Sequence, residues 1–185
     1  MKKKIIPIIA LSLIAIIAVT TVIFAICTVS YKPNFEDMSK CQVGIQNDNS
    51  SPFELASDEQ ATKLVDLFNQ SFNESALNSL FNGRLGYGAE LVKNESAITN
   101  LSNVSKYIVF EYLNKDELPK IKYNNEEVSF DRVLIKIDNT LNTTNLGTVN
   151  VYLLQADATS SSYYYKTYGN FYNFFKYIND TVLAE

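Results

Sequence analysis

This 185-residue chain contains no histidine, no tryptophan and only two cysteines. Without histidine it cannot build a Ser-His-Asp or Cys-His catalytic arrangement, and it cannot bind a metal through imidazole. Cys27 lies in an apolar run, so Cys41 is alone in the rest of the chain and cannot form an intradomain disulfide. It can link two copies of the chain or lie buried. These absences predict no metal site and no cofactor.

Charged residues are also missing from Ile5 to Ser30, a run rich in Ile, Leu, Val and Ala. A helix rises about 1.5 Å per residue, so about 20 such residues cross a hydrocarbon core of about 30 Å. Backbone polar groups in lipid must be satisfied within their own segment, so the run is predicted to be a transmembrane helix. Lys2, Lys3 and Lys4 precede it and only Lys32 follows closely, and lysine excess marks the cytoplasmic side. We therefore expect the membrane as a partner through residues 5–30, with the N-terminus cytoplasmic and the C-terminal domain extracellular.

A cleaved signal peptide is the alternative interpretation of this run. The apolar region of a signal peptide is usually about 7–15 residues long and is followed by small residues at the cleavage site. The run here is longer, and Thr28 and Ser30 before Tyr31 make a poor site, which favours an uncleaved signal anchor. A lipoprotein pattern needs a small residue before its cysteine, whereas Ile26 precedes Cys27. We interpret Cys27 as one more apolar residue in lipid.

The part of the chain beyond the apolar run is acidic. Four of the 16 basic residues flank the run, which leaves 12 basic against 20 acidic residues outside it, a net charge of −8. This balance argues against nucleic acid and against an anionic lipid surface as partners. The remaining length, about 150 residues, is enough for one domain with its own core.

Composition divides the chain into three parts. Residues 1–30 form the cytoplasmic tip and transmembrane anchor. Residues 31–57 are predicted to be a polar stalk, because they lack the apolar periodicity needed to pack, although Gln42–Ile45 alternates enough for a short strand. Residues 58–185 are predicted to be an extracytoplasmic α+β domain. The fold class is therefore α+β: an N-terminal transmembrane helix, then an antiparallel sheet of four to five strands flanked by an N-terminal and a C-terminal helix.

Two helices are predicted in the domain. Ser57 and Gln60 match a capping box, and an apolar stripe at helical spacing follows, with a break near Asn73. The stripe comprises Ala61, Leu64, Val65, Phe68 and Phe72, and beyond the break Leu77, Leu80 and Phe81. Near the C-terminus, Asn170 is expected to cap the second helix. The apolar stripe of this helix comprises Phe171, Phe174, Phe175, Ile178 and Val182.

Alternating β-branched and aromatic residues predict the strands. The predicted strands span residues 106–113, 119–123, 128–137, 147–156 and 163–165. A hairpin turn is expected at Asn124–Glu127, because asparagine tolerates positive φ. The apolar residues of the third strand change phase, so a bulge near Asp131 and Arg132 is expected to return them to one buried face.

Tyrosines are concentrated near the C-terminus. Aromatic faces stack on sugars, and tyrosine is favoured in surfaces that bind glycans or peptides. The candidate binding residues are Tyr163, Tyr164, Tyr165, Tyr168 and Tyr172. Part of this set is expected to pack between the last strand and the last helix instead.

Other candidate chemistries are weaker. Glu111 and Asp131 lie on strands that are expected to be neighbours, so they could converge for acid–base or glycosidase chemistry. Strand carboxylates usually face water, however, and nothing in the pair sets their roles apart. The stretch Gly83–Gly88 lacks the preceding strand and the Lys-Ser/Thr of a phosphate-binding loop, and Asp138–Val149 lacks the glycine and the final acid of a calcium loop.

The sequence therefore favours a single-pass membrane protein whose outer domain binds another envelope or membrane protein and catalyses nothing. The membrane helix carries no ionisable residue, so transport or signalling through it is not indicated. The alternative is an anchored or secreted cell-envelope hydrolase that uses paired carboxylates such as Glu111 and Asp131. A third hypothesis is a structural element dimerised through Cys41.

Overall fold

In a computed structural model of the protein, the described residues are 2–30, 32–33, 38–46, 53–81, 89–93, 106–137, 146–155 and 163–184. The chain divides into two compact units. Met1–Ser30 and Asn73–Tyr87 form the N-terminal unit, and Tyr31–Phe72 and Gly88–Glu185 form the sheet domain. The candidate phosphate loop at 83–88 lies outside the described residues, and so do residues 138–145 of the candidate calcium loop, whose residues 146–149 belong to a strand.

The helices are α1 (Lys2–Ile26), α2 (Asp58–Ser71), α3 (Ala76–Phe81) and α4 (Tyr172–Tyr177). The strands are β1 (Thr28–Ser30), β2 (Cys41–Gln46), β3 (Glu54–Leu55), β4 (Asn73–Ser75), β5 (Glu90–Lys93), β6 (Tyr107–Tyr112), β7 (Lys120–Tyr123), β8 (Glu126–Ser129), β9 (Arg132–Lys136), β10 (Leu146–Leu154) and β11 (Tyr163–Asn170). Short 3-10 turns lie at Met38–Lys40 and Lys115–Glu117, and a π-helical turn, Ile178–Val182, follows α4.

The N-terminal unit is built on α1. Its most apolar stretch, Ile9–Ile26, has no part buried by protein, and among the described helices it is the one long and apolar enough to cross a membrane. Length and composition alone give this result, and a signal sequence near an N-terminus would give it too. Just beyond α1, β1 pairs antiparallel with β4, and α3 follows β4 and packs against α1.

The sheet domain contains a seven-stranded antiparallel sheet in the order β3-β2-β6-β9-β10-β11-β5, and β7 and β8 form a separate hairpin. The predicted α+β class with an antiparallel sheet and a C-terminal helix is confirmed, but the sheet has more strands than the four to five expected. The additional strands are β2, β3 and β5. They are two to six residues long, too short for their periodicity to separate a strand from a loop.

The predicted polar stalk is partly folded into the sheet domain. Residues 38–46 supply a 3-10 turn and β2, which pairs along its whole length with β6. Met38 and Val43 are buried in the main core. The sequence pattern did suggest a short strand at Gln42–Ile45, but its pairing with β6 depends on contacts about 65 residues away in sequence. Asn73–Phe81, predicted to belong to the domain, lies in the N-terminal unit instead.

Each face of the sheet carries a buried apolar cluster. On one face, α2, α4 and the β7–β8 hairpin cover alternate residues of the central strands, such as Phe110, Val133 and Val151. On the other face lies a smaller cluster of Tyr107, Val109, Leu134 and Leu154, with Phe53 and Tyr152 packed against it. Strands β6 and β9 therefore bury both of their faces, as their nearly continuous apolar sequences imply.

Glycine at position 44 allows the chain before β3 to lie against β2. A Cβ atom at Gly44 would overlap the backbone oxygen of Glu54 and touch the ring of Phe53. Any side chain there would push β3 off β2 and move Phe53 away from the smaller cluster. The close approach of these two backbones explains why the edge of the sheet needs glycine at this point.

The predicted phase change between Val128 and Ile137 is a strand break rather than a bulge. β8 ends at Ser129 and β9 begins at Arg132, so the two halves belong to different sheets. Phe130 and Val133 nevertheless enter the same core. The chain turns at Phe130–Asp131, and this turn places the apolar residues of β8 and β9 on the same side. A bulge was expected to have this effect. The turn at Asn124 and Asn125 has φ of 47° and 69°, which confirms the expected positive φ.

The start of α2 follows the predicted chemistry. The backbone N–H of Gln60 donates to Ser57 Oγ at 3.3 Å, and the Ser57 N–H donates to Gln60 Oε1 at 3.0 Å, which completes the capping box. α2 ends at Ser71, so the predicted break near Asn73 is confirmed. At α4 the prediction was wrong about the cap: the N-cap residue is Phe171, which makes no side-chain cap bond, although Asn170 Oδ1, at the end of β11, accepts the N–H of Tyr172 at 3.1 Å. Leu80 and Phe81 do not continue the buried stripe of α2; they belong to the N-terminal unit and are exposed.

Candidate functional site

Strand alternation separates the tyrosines that were predicted to bind. Consecutive residues of a strand point to opposite faces, so Tyr163 and Tyr165 of β11 lie on the helix-covered face and are buried. The ring of Tyr163 meets that of Tyr123 edge-on, with centroids 5.8 Å apart, and Lys93 Nζ lies 5.5 Å from its centroid. Burial raises the pKa of Tyr165 above its ordinary value. These two side chains serve the core.

The other candidate tyrosines do not form one surface either. Tyr164 is half-buried on the opposite face of the sheet, where its ring lies 5.7 Å from that of Tyr152. Tyr172 is 40% exposed on α4, on the helix side. Tyr168 pairs with Thr148 in the ladder between β10 and β11, and its side chain is not among those described. A binding role for the exposed members stays a prediction, but the five residues do not act as one patch.

Glu111 and Asp131, the candidate carboxylate pair, do converge, and they meet on a lysine. Lys115 Nζ lies 2.9 Å from Asp131 Oδ2 and 3.3 Å from Glu111 Oε1. Arg132 Nε lies 3.4 Å from the other oxygen of Asp131. Asp131 is 4% exposed, and its charge is balanced by the half-exposed Lys115 and by Arg132. Backbone bonds from Tyr112 N–H to Asp131 O at 2.8 Å and from Asp131 N–H to Leu154 O at 3.0 Å fix its position.

This arrangement holds the strand break in place. The carboxylate oxygens of Asp131 are engaged by Lys115 and Arg132, and neither Asp131 nor Glu111 lines either of the two cavities described below. General acid–base chemistry needs a group that can exchange a proton with a substrate at a reachable site. The geometry is accounted for by structural ion pairs that tie β6 to the start of β9.

The ion pairs of Lys115 are expected to make stability depend on alkaline pH. Partial burial lowers the pKa of Lys115, but hydrogen bonds and charges from Asp131 and Glu111 outweigh it, so the pKa lies above its ordinary 10.5. A raised folded-state pKa gives a contribution that is complete below the unfolded pKa and is lost as pH rises through the folded one. We expect the urea concentration at the midpoint of unfolding to decrease as the pH rises above about 10. In Lys115→Met this decrease is expected to be smaller.

Lys115→Met is expected to remove only part of the alkaline loss of stability, because the raised pKa of Tyr165 also makes the stability fall as the pH rises. An equally steep alkaline decline in Lys115→Met and in the unaltered protein would contradict a stabilising role for these ion pairs.

A cavity of about 330 Å³ lies between β2 and α2. Val43, Ala61 and Val65 form its apolar floor, and the carboxylates of Asp58 and Asp66 stand at its rim. α2 supplies most of this lining because its capping box and apolar stripe set one face against the sheet and leave the acids outside. Such a cavity offers apolar contact together with negative charge.

A second cavity, of about 510 Å³, adjoins the first and is lined by Glu59, Thr62, Lys63, Asp66 and Tyr177. Thr62 and Asp66 line both cavities, so the two form one depression along α2, here called the acidic groove. Three carboxylates and one lysine border it. The acids of α2 are visible in the sequence, but the opposite wall comes from β2 and α4, which are distant along the chain.

Cysteine adds one feature to this groove. Cys41 is half-buried in its wall, whereas Cys27 is exposed at the end of α1, and neither is in a disulfide within the chain. The hypothesis of a dimer linked through Cys41 stays a prediction. No group of three or more Cys, Asp or Glu residues is placed to hold a metal ion within the described parts of the chain.

The fold and the groove together define the class of protein: an α+β protein with an apolar N-terminal helix and a depression bordered by carboxylates beside the first helix of its sheet domain. The chain matches no protein-family model, no curated protein and no solved structure.

Proposed function

We propose that this is a single-pass membrane protein, anchored by α1, whose sheet domain lies outside the cytoplasm and binds another envelope or membrane protein without catalysis. The observation that carries the proposal is α1 itself. Its stretch Ile9–Ile26 contains no charge, and none of its residues is buried by the described parts of the protein, so lipid is the environment that fits it. Lys2, Lys3 and Lys4 before it favour a cytoplasmic N-terminus.

The acidic groove is the proposed binding surface. Its two cavities have the size that accepts a few side chains rather than a folded domain. An apolar floor bordered by carboxylates suits an extended segment that carries both apolar residues and Lys or Arg, because complementary charge steers and orients a partner. The net charge of −8 outside the anchor also favours a positively charged partner. The proposed partner therefore presents a basic segment that also carries apolar residues.

A charge-removal experiment tests this surface in the full chain in native membranes. A photo-crosslinking residue replaces Thr62 in the groove, and a control places it at exposed Lys122 on β7. We expect one discrete crosslinked product from position 62, reduced about three- to tenfold by Asp58→Asn with Asp66→Asn, since an exposed ion pair contributes up to about 1 kcal/mol. The matched control, Glu126→Gln with Glu127→Gln on β8, removes equal charge elsewhere.

Three results would count against the proposal. Products from Lys122 equal to those from Thr62 would show that the groove does not select a partner. An equal loss with the control pair would show that overall charge, rather than the groove, is responsible. A small molecule converted by the purified chain would overturn the non-catalytic assignment.

The alternative function, an anchored or secreted cell-envelope hydrolase using paired carboxylates, draws on the convergence of Glu111 and Asp131. Retaining glycosidases place two carboxyl groups about 5–5.5 Å apart with the substrate between them. Here the amine of Lys115 lies between them, within 3.3 Å of each. This occupation favours the binding function over the hydrolase.

A further inference from the structure

The short helix α3 presents large apolar side chains that the protein does not cover. Leu80 is 49% exposed and Phe81 is 79% exposed. α3 reads ALNSLF and carries no charge. Ser75 Oγ accepts the N–H of Asn78 at 3.2 Å, which satisfies one of the unpaired donors of the first turn. α3 is thus a capped, uncharged helix with an exposed apolar end.

The N-terminal unit holds α3 at the end of α1. The Cys27 N–H donates to Ile23 O at 2.9 Å and so extends the helical bonding, while Cys27 O accepts the Ala76 N–H at 2.7 Å. The β1–β4 ladder, which pairs Thr28 with Ser75, fixes this junction. Six helical residues extend about 9 Å. All of α3 therefore lies within about one helix diameter of the point where α1 ends.

This position coincides with the membrane surface if α1 spans the bilayer. The uncharged part of α1, Ile5–Ile26, extends about 33 Å, comparable with the hydrocarbon thickness of about 30 Å. Cys27 then lies at the outer edge of the hydrocarbon, and α3 lies in the layer where interfacial helices bury apolar side chains about 5–10 Å deep.

We propose that α3 is a second membrane contact, with Leu80 and Phe81 inserted at the boundary between headgroups and acyl chains of the outer leaflet. This inference rests on the proposed anchoring by α1. Continuity with the anchor identifies lipid as the occupant, because the exposed side chains lie beside the segment that lipid already surrounds. The contact is apolar, so it accepts zwitterionic lipid and is insensitive to salt, unlike attraction between charges.

The absence of tryptophan from the chain provides a clean reporter. The full chain carrying Phe81→Trp is reconstituted into phosphatidylcholine vesicles whose acyl chains are brominated either near the headgroup or near the bilayer centre. We expect blue-shifted emission and loss of most of the fluorescence with shallow bromine, less loss with deep bromine, and the same values at low and high salt. Leu113→Trp, 55% exposed beyond β6, is the matched control and is expected to be unquenched.

A third reporter separates this inference from the anchoring on which it rests. Ile17→Trp lies in the middle of α1 and should be quenched most by deep bromine. Quenching at Ile17→Trp but not at Phe81→Trp overturns the role of α3 alone, whereas no quenching at either overturns the anchor. Blue-shifted emission from Phe81→Trp without bromine quenching also overturns the proposal, because protein rather than lipid would then cover the side chain.

Discussion

Phe68→Ala is expected to lower the free energy of unfolding of the sheet domain by about 3–5 kcal/mol, the range for removing a buried phenylalanine ring. Phe68 of α2 is 0% exposed. Its ring centroid lies 4.8 Å from that of Phe72, 5.2 Å from that of Phe110 on β6 and 6.1 Å from that of Phe174 on α4. Truncation opens a cavity where two helices meet the sheet, and rigid strand neighbours limit its collapse.

Urea unfolding of the full chain in detergent micelles, followed by near-ultraviolet circular dichroism, measures this effect. Leu113→Ala is the control, because it truncates a large apolar side chain of the same domain that is 55% exposed. Its unfolding free energy is expected to change by less than about 0.5 kcal/mol. A loss below about 1 kcal/mol in Phe68→Ala would mean that the aromatic cluster does not hold the helices to the sheet.

Ile14→Asp combined with Ile17→Asp is expected to abolish stable membrane insertion. Each change exchanges a favourable isoleucine for an aspartate at the helix centre, a difference of about 3–4 kcal/mol, so the pair costs about 6–8 kcal/mol. Both side chains are exposed along α1, so the described parts of the protein provide no buried partner for the new charges. The fraction retained in membranes after an alkaline wash measures insertion.

The control for this experiment is Ile14→Leu with Ile17→Leu, which keeps volume and apolar character and should be retained like the unaltered chain. The intact mass of the retained chain separates anchor from signal peptide. A mature chain that begins near Tyr31, or double-aspartate variants retained as well as the control, would contradict the anchor.

Local chemistry determines several elements of this protein without any tertiary contact. Ser57 and Gln60 satisfy each other's backbone donors within one turn, so the start of α2 follows from four residues. Asn124 and Asn125 reach positive φ at little cost, which places the β7–β8 turn. β6 carries apolar residues on both faces and α1 is uncharged from Ile5 to Ile26, so composition alone predicts that both need apolar surroundings.

Only the tertiary structure decided which half-polar segments join the core. β2 and β3 come from a stretch that reads as a polar stalk, and they become strands because β6 offers an unpaired edge far away in sequence. The five tyrosines form one group in the sequence, yet the two-residue period of β11 and the position of α4 divide them between core and surface. Glu111 and Asp131 both contact Lys115 because the chain turns at the break between β8 and β9. That turn cannot be predicted from the two carboxylate residues themselves.

The α1 helix, the capping box and the asparagine turn depend on residues within a few positions of one another, so the sequence alone specifies them. The acidic groove, the ion pairs around Asp131 and the position of α3 beside α1 depend on pairings across tens of residues. A short strand has too little apolar periodicity to specify its partner, so chain geometry and the burial available elsewhere decide those pairings.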